Sequence, residues 1–386
     1  MPASDDVPSL PQDSTQATAP PPRASTFARV GLLMYALLIS YASLYPFSGW
    51  RDMGLPFWNY LLAPLPHYWT GFDVVTNILG YFPLGLLLVF ALYPALRGMP
   101  AALLSVGAGT LLSATMEAIQ TYLPNRVASN LDLLTNAGGV CLGVLAGLLL
   151  RRPFFEQSRL QQWREHWFIR DAGRGLIMVG LWPFAQIYPQ GYLLGLGQVL
   201  PPLSDWLSQL LDRPVDLAAL LRHGSLFSVQ EYWLSETIIA ACGLSGALLM
   251  LSCMIRRHAP RAPLLLALAL AAVAVKALAS ALVFGPDNAF AWLTPGARGG
   301  LLIGALMVTG LIYAPPSAQR RVAAACLLLS LAVTNLVPVN PYFTAILQAW
   351  IRGKFLNFDG AAHFLTLCWP FFAFWFLLHP MHRSQR

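Results

Sequence analysis

Most of the side chains in this sequence that could do chemistry fall in one apolar stretch, Phe72–Gly139. Asp73 and Asn77 open it, Glu117 and Gln120 follow, Arg126 stands in Pro124-Asn125-Arg126, and Asp132 and Asn136 come after that. A helix places residues three or four apart on one face, so each pair sets an acid beside an amide. Such a set offers two kinds of chemistry. Carboxylates buried near one another can exchange protons in the working range of acid–base catalysis. An arginine fork ringed by amides can instead hold an anionic or glycan-bearing group through directional hydrogen bonds.

Each member also has a structural alternative. Asp73 and Asp132 sit where helices should begin, and there a carboxylate caps the chain and meets the positive end of the dipole without any ligand. Glu117 differs, because it lies near the carboxyl end of its helix, where the dipole disfavours an anion. An ionisable group inside an apolar span marks a functional site by default, and Arg126 is its expected partner. The same pair could simply lock two helices together. Tyr81-Phe82-Pro83-Leu84-Gly85 reads as packing: Pro83 should kink its helix, and Gly85, Gly138, Gly139 and Gly143 should allow close helix approach.

The elements that must position these residues are membrane helices. Of 386 residues, 56% are hydrophobic and 11% charged, with a mean hydropathy of +0.57. Soluble domains carry about 25% charge, so the fold class is an all-α, polytopic transmembrane bundle. Apolar runs of roughly the 20 residues a bilayer demands cover 27–46, 72–96, 99–122, 131–150, 173–194, 234–255, 263–284, 299–314, 322–338 and 360–379, about ten spans. The net charge of +7 does not point to nucleic acid, because the arginines stand in short loops. With the N-terminus inside, only Arg51, Arg126, Arg213, Arg222, Arg298, Arg352 and Lys354 fall outside, apart from Lys276 within a span. That bias puts both termini in the cytoplasm and the polar cluster at the outer face of the inner (plasma) membrane.

The domain organisation follows: 1–25 a disordered cytoplasmic tail rich in Pro, Ser and Thr, 26–152 a four-helix membrane domain, 153–172 an interfacial amphipathic segment, and 173–386 a six-helix membrane region. The stretch Gln198–Gln230 should be an outer connector or a cap. The five cysteines lack paired ligand spacing and read as small hydrophobes. No metal site, cofactor loop or hydrolase elbow is visible.

The order Asp73-x-x-x-Asn77 with Pro83-Leu84-Gly85, Glu117-x-x-Gln120, Arg126, Asp132-x-x-x-Asn136 and Gly138-Gly139 resembles the VanZ-like membrane domain, as does Ser43-Leu44-Tyr45-Pro46. The resemblance covers roughly residues 27–150. It implies a cell-envelope setting and a link to glycopeptide resistance, without a defined reaction. Asn77 departs from the family, where many relatives carry His. Near the C-terminus, Asn335-Leu336-Val337-Pro338 and Phe358-Asp359-x-x-x-His363 repeat the phrasing of the first two helices. A partial second copy at about 330–379 would bring Asp359 and His363, with Lys354 nearby, to the outer cluster.

Three function classes remain open. The first is a membrane protein whose outer cluster binds a polar headgroup, a peptide terminus or a lipid-linked glycan or peptidoglycan precursor. The second is an intramembrane enzyme acting on a lipid-linked substrate. The third is a transporter or flippase, for which Lys276 is one argument, although transporters place their binding groups near the midplane. Membrane lipids are the expected partners.

Overall fold

The computed structural model describes residues 26–66, 68–155, 166–169, 172–223, 227–338 and 356–379. The N-terminal tail, most of the amphipathic segment and Lys354 lie outside them. The helices in chain order are α1 Thr26–Leu44, α2 Asn59–Leu62, α3 Gly71–Leu92, α4 Met99–Gln120, α5 Asn130–Phe155, α6 Ala172–Leu181, α7 Leu200–Leu211, α8 Leu217–Leu221, α9 Val229–Ser252, α10 Arg261–Phe284, α11 Pro295–Leu311, α12 Pro316–Leu336 and α13 Leu356–Leu378. The described residues form no strand, only an isolated bridge between Phe168 and Ile255.

Six helical stretches are long and apolar enough to cross a membrane: Asp73–Leu92, Met99–Gln120, Asn130–Leu150, Val229–Ser252, Arg261–Phe284 and Asp359–Leu378. Two shorter apolar helices, Ala28–Leu44 and Pro295–Leu311, accompany them. Leu79, Leu103, Leu111, Leu134, Leu278 and Leu282 stand exposed on the outer faces of these helices. Water would penalise such faces and hydrocarbon does not, so this is a membrane protein. The run 173–194 does not form one helix. Helix α6 stops at Leu181, a single 3-10 turn follows at Phe184–Gln186, and the chain then runs irregularly to Val199. Pro183 and Pro189 cannot donate to a helical ladder, and the Gln186 and Gln190 side chains donate instead to the carbonyls of Trp182 and Ala185.

The core divides in two. Ala28, Ile39, Tyr81, Leu84, Phe90, Met116 and Val140 bury themselves among α1, α3, α4 and α5. A larger cluster around Trp182, Leu248, Met254, Leu327 and Trp369 holds α6 and α9 to α13. Trp167, Phe168 and Ile169, at the end of the expected interfacial segment, pack against that second core.

Glycine sets the closest crossings. A Cβ on Gly85 would strike the backbone carbonyl of Val140, one on Gly139 that of Ile78, and one on Gly143 that of Phe82. Helices α3 and α5 therefore touch backbone to backbone, as small residues permit within membranes. Gly138 faces open space and has no part in this contact. Gly296, Gly300 and Gly304 of α11 repeat the arrangement against α9.

Candidate functional site

The helix directions fix one end of the molecule as polar. Helices α1 and α4 finish there, α3, α5 and α13 begin there, and the long α1–α3 connection folds over it. This connection is tied down by Arg51 N to the Tyr122 carbonyl at 3.0 Å, Tyr60 Oη to the Ala114 carbonyl at 3.0 Å, and Asn130 Nδ2 to the Ala63 carbonyl at 2.6 Å.

Arg126 organises this end. Its Nη2 donates to the carbonyls of Ala42 and Tyr45, each at 2.7 Å, and its Nε to Tyr45 at 3.0 Å. Gln120 Nε2 donates to Ser43 at 2.8 Å. The last turn of a helix leaves carbonyls without amide partners; here Arg126 and Gln120, carried on and after α4, satisfy those of α1. Burial lowers the Arg126 pKa to about 10, while Glu117, Asp132 and Asp359, in that order, act to raise it. The guanidinium is therefore charged at neutral pH, and all three carboxylates are close enough to feel it.

Glu117 is 4% exposed, and its Oε2 accepts the backbone N–H of Ser129 at 2.8 Å. It thereby anchors the chain just before α5. Gln120 Nε2 and Arg126 turn toward α1 instead. The expected Glu117–Arg126 relation thus includes an electrostatic coupling, with Glu117 also bonded to the α5 approach and Arg126 to α1.

Asp73 forms a capping box with Thr70, accepting at Oδ2 from Thr70 N at 3.0 Å and from Thr70 Oγ1 at 2.7 Å. It is exposed at the start of α3. Asp132 is placed differently: at the start of α5 the capping acceptor is Ser129 Oγ, 3.1 Å from Leu131 N and 3.4 Å from Asp132 N. The Asp132 carboxylate turns across to α3, where Asn77 Nδ2 donates to its Oδ1 at 2.9 Å and to Thr135 Oγ1 at 3.3 Å. Asn77 thus links α3 to α5. Asn136 is buried and donates to Ser113 Oγ at 3.0 Å, leaving its Oδ1 without a hydrogen-bond partner.

The C-terminal helix joins this end. Gly360 lies so close to α1 that a Cβ would stand 2.9 Å from Ala42 Cα and from Tyr45 Cβ. That approach brings Asp359 within range of Arg126. His363, one turn further, has Nδ1 2.7 Å from Tyr41 Oη, and its ring lies 5.4 Å from Tyr45 and 4.7 Å from Tyr188. Asp359 and His363 therefore stand beside α1 at the Arg126 end. Asp73, at the exposed edge, is the predicted residue most plainly engaged in capping alone.

Sequence reasoning passed over Tyr41, Ser113 and Ser129 and read Tyr81 as a packing residue. The Tyr81 hydroxyl interacts with Ser113 and Ser43 and lies near Glu117. Spacing carried part of that signal, since Ser113, Glu117 and Gln120 share one face of α4. Ser129 acts through its backbone N–H, which no side-chain pattern reveals. Among the described residues, no three metal-ligating side chains come together. Glu236 of α9 is buried, and its Oε2 accepts from Thr294 Oγ1 at 2.6 Å.

No curated protein and no solved structure matches this chain. The model of the VanZ/LLP1 family matches residues 15–151. That stretch contains α1 to α4, all but the last turn of α5, and every residue of the cluster apart from Asp359 and His363. The N-terminal stretch of the chain, residues 15–151, is thus similar to the VanZ/LLP1 family.

Proposed function

We propose that the polar end is a binding site for the headgroup of an envelope lipid or lipid-linked precursor, on the outer face of a multi-pass plasma-membrane protein, and that it contributes to resistance against glycopeptide-type antibiotics. The observation that carries this reading is the convergence of Glu117, Asp132 and Asp359 around Arg126. Arg126 bonds to α1 carbonyls, so its main task is to fix the site and offset its negative charge. The excess of carboxylates then favours ligands rich in donors, such as sugar hydroxyls, amines or a peptide amino terminus. Overhead, Trp50, Phe57, Trp58, Tyr68 and Trp69 are exposed in the α1–α3 connection, Tyr68 at 97%. Trp and Tyr settle at the headgroup level of bilayers, which is where such a ligand would be presented.

The test is single substitution, Glu117→Gln, Asp132→Asn and Asp359→Asn, in a strain whose glycopeptide susceptibility depends on this protein. Each is expected to lower resistance about tenfold or more, roughly the effect of losing one charge-assisted hydrogen bond, with unchanged membrane levels. Unaltered resistance in all three would sink the proposal.

One observation favours a catalytic reading instead. The His363–Tyr41 pair sets an imidazole, which can donate or accept a proton at its ring nitrogens, one turn from Asp359. Incubation of the purified protein with labelled undecaprenyl-linked and phospholipid substrates separates the two readings. Turnover abolished by His363→Gln would establish catalysis; none across the panel would leave binding as the function.

A further inference from the structure

Lys276 is a cation inside α10, two turns before its end at Phe284, and only 4% of it is exposed. An ammonium has three N–H donors. Among the described residues its acceptor is the Tyr188 carbonyl at 3.5 Å, at the long limit of a hydrogen bond, and no carboxylate pairs with it. Such a group at membrane depth demands a partner, because hydrocarbon supplies none.

Beside Lys276 opens a narrow cleft, part of it continuous with the surroundings. Ser280 lines it one helical turn further along the same face, and Asn288 and Trp292 close it from the loop beyond α10. Val283 and Phe284 form an apolar wall. Eight residues of helix rise about 12 Å, so Lys276 lies about that far along α10 from its end at Phe284. Tyr188 separates it from the Arg126 cluster: its carbonyl faces Lys276 and its ring packs on His363.

We propose that this cleft is a second, separate binding site, which takes the phosphate or carboxylate of an anionic amphiphile. Lys276 supplies the countercharge, Ser280 a hydroxyl donor, and the Val283–Phe284 wall the surface for the adjoining apolar chain. The site differs in sign from the carboxylate-rich cluster around Arg126, and it stands whether or not that cluster binds an envelope precursor.

The experiment is titration of the detergent-solubilised full-length protein with dioleoyl phosphatidic acid, oleic acid and the neutral dioleoyl phosphatidylcholine, read by native mass spectrometry. The expected result is preference for the two anionic lipids, and binding about tenfold weaker or more in Lys276→Met, as loss of a charge-assisted hydrogen bond implies. Lys276→Arg should retain most of it. Ser280→Leu keeps the lysine and fills the cleft, and is expected to weaken binding similarly. Displacement by millimolar inorganic phosphate would assign the site to the anion alone, and failure to displace would assign it to the whole amphiphile; both support an anion site. Equal affinity for the neutral lipid, or unchanged binding in both Lys276→Met and Ser280→Leu, would overturn the proposal.

Discussion

Arg126 shows how much one side chain can hold together. It completes the carbonyls of Ala42 and Tyr45 on α1 while neutralising carboxylates from α4, α5 and α13. Arg126→Met would remove those hydrogen bonds and leave the partly buried carboxylates without their cation. Breaking a buried charge arrangement at one partner costs about 3 kcal/mol or more, so a clear drop in the thermal midpoint of the detergent-solubilised protein is expected. Arg126→Lys should recover only part of it, since one ammonium cannot reproduce the planar fork that reaches two carbonyls. Melting of Arg126→Met at the wild-type temperature would mean that α1 needs no such cap. Arg320 plays a comparable part elsewhere, donating to the Phe376 and Leu377 carbonyls at the end of α13. Arginine thus serves two helix termini here, where the dipole also favours a cation.

The pairing of α3 with α5 is what aligns Asn77 with Asp132. Its basis is the glycine contact, and the two kinds of glycine in α5 allow a sharp comparison. Gly143→Ala would press a methyl into the Phe82 carbonyl and force the helices apart; overpacking of this kind costs about 1–3 kcal/mol. Gly138→Ala meets nothing within 4 Å and removes a poor helix former, so it should be neutral or stabilise by up to about 1 kcal/mol. Thermal melting of the two variants side by side measures the difference, and equal behaviour would show that the crossing is not set by backbone contact. At the other crossing, Gly360 brings α13 onto α1, and without it Asp359 and His363 could not approach the cluster.

For the molecule as a whole, the two cores meet through α13, which belongs to the larger cluster yet leans on α1 at the polar end. Membrane orientation decides whether that end can meet an external ligand. Val127 is exposed beside the cluster, and Tyr313 is exposed in the turn at the opposite end. In spheroplasts, Val127→Cys is expected to react with a membrane-impermeant maleimide directly, and Tyr313→Cys only after permeabilisation. The reverse pattern would place the cluster in the cytoplasm and remove an external antibiotic from its reach. Helix α7 adds exposed Leu203, Trp206 and Leu210 at the polar end, and the amides of Val199, just before it, and of Leu200, its first residue, donate to Asn335 Oδ1 at 2.8 and 3.0 Å. Together with the aromatic α1–α3 connection, it rings that end with side chains suited to the headgroup region.

The sequence by itself determined the membrane class, the helices of the N-terminal domain and the identity of their polar residues. Hydropathy and three- or four-residue spacing are local properties, and a helix preserves them whatever surrounds it. It did not determine that residues 173–194 break after one short helix, because the run is largely apolar and only Arg174, Gln186, Gln190 and its prolines and glycines dissent. Nor could spacing tell that Asp73 would cap its own helix while Asp132, in the same position on α5, would turn to Asn77. That choice depends on how closely α3 and α5 cross. Only the tertiary structure turned Arg126 onto α1, gave Glu117 the N–H of Ser129, and brought Asp359 and His363 to the cluster across more than 200 residues of chain. These partners come from helix crossings and a backbone amide, neither of which leaves a mark in a one-dimensional pattern.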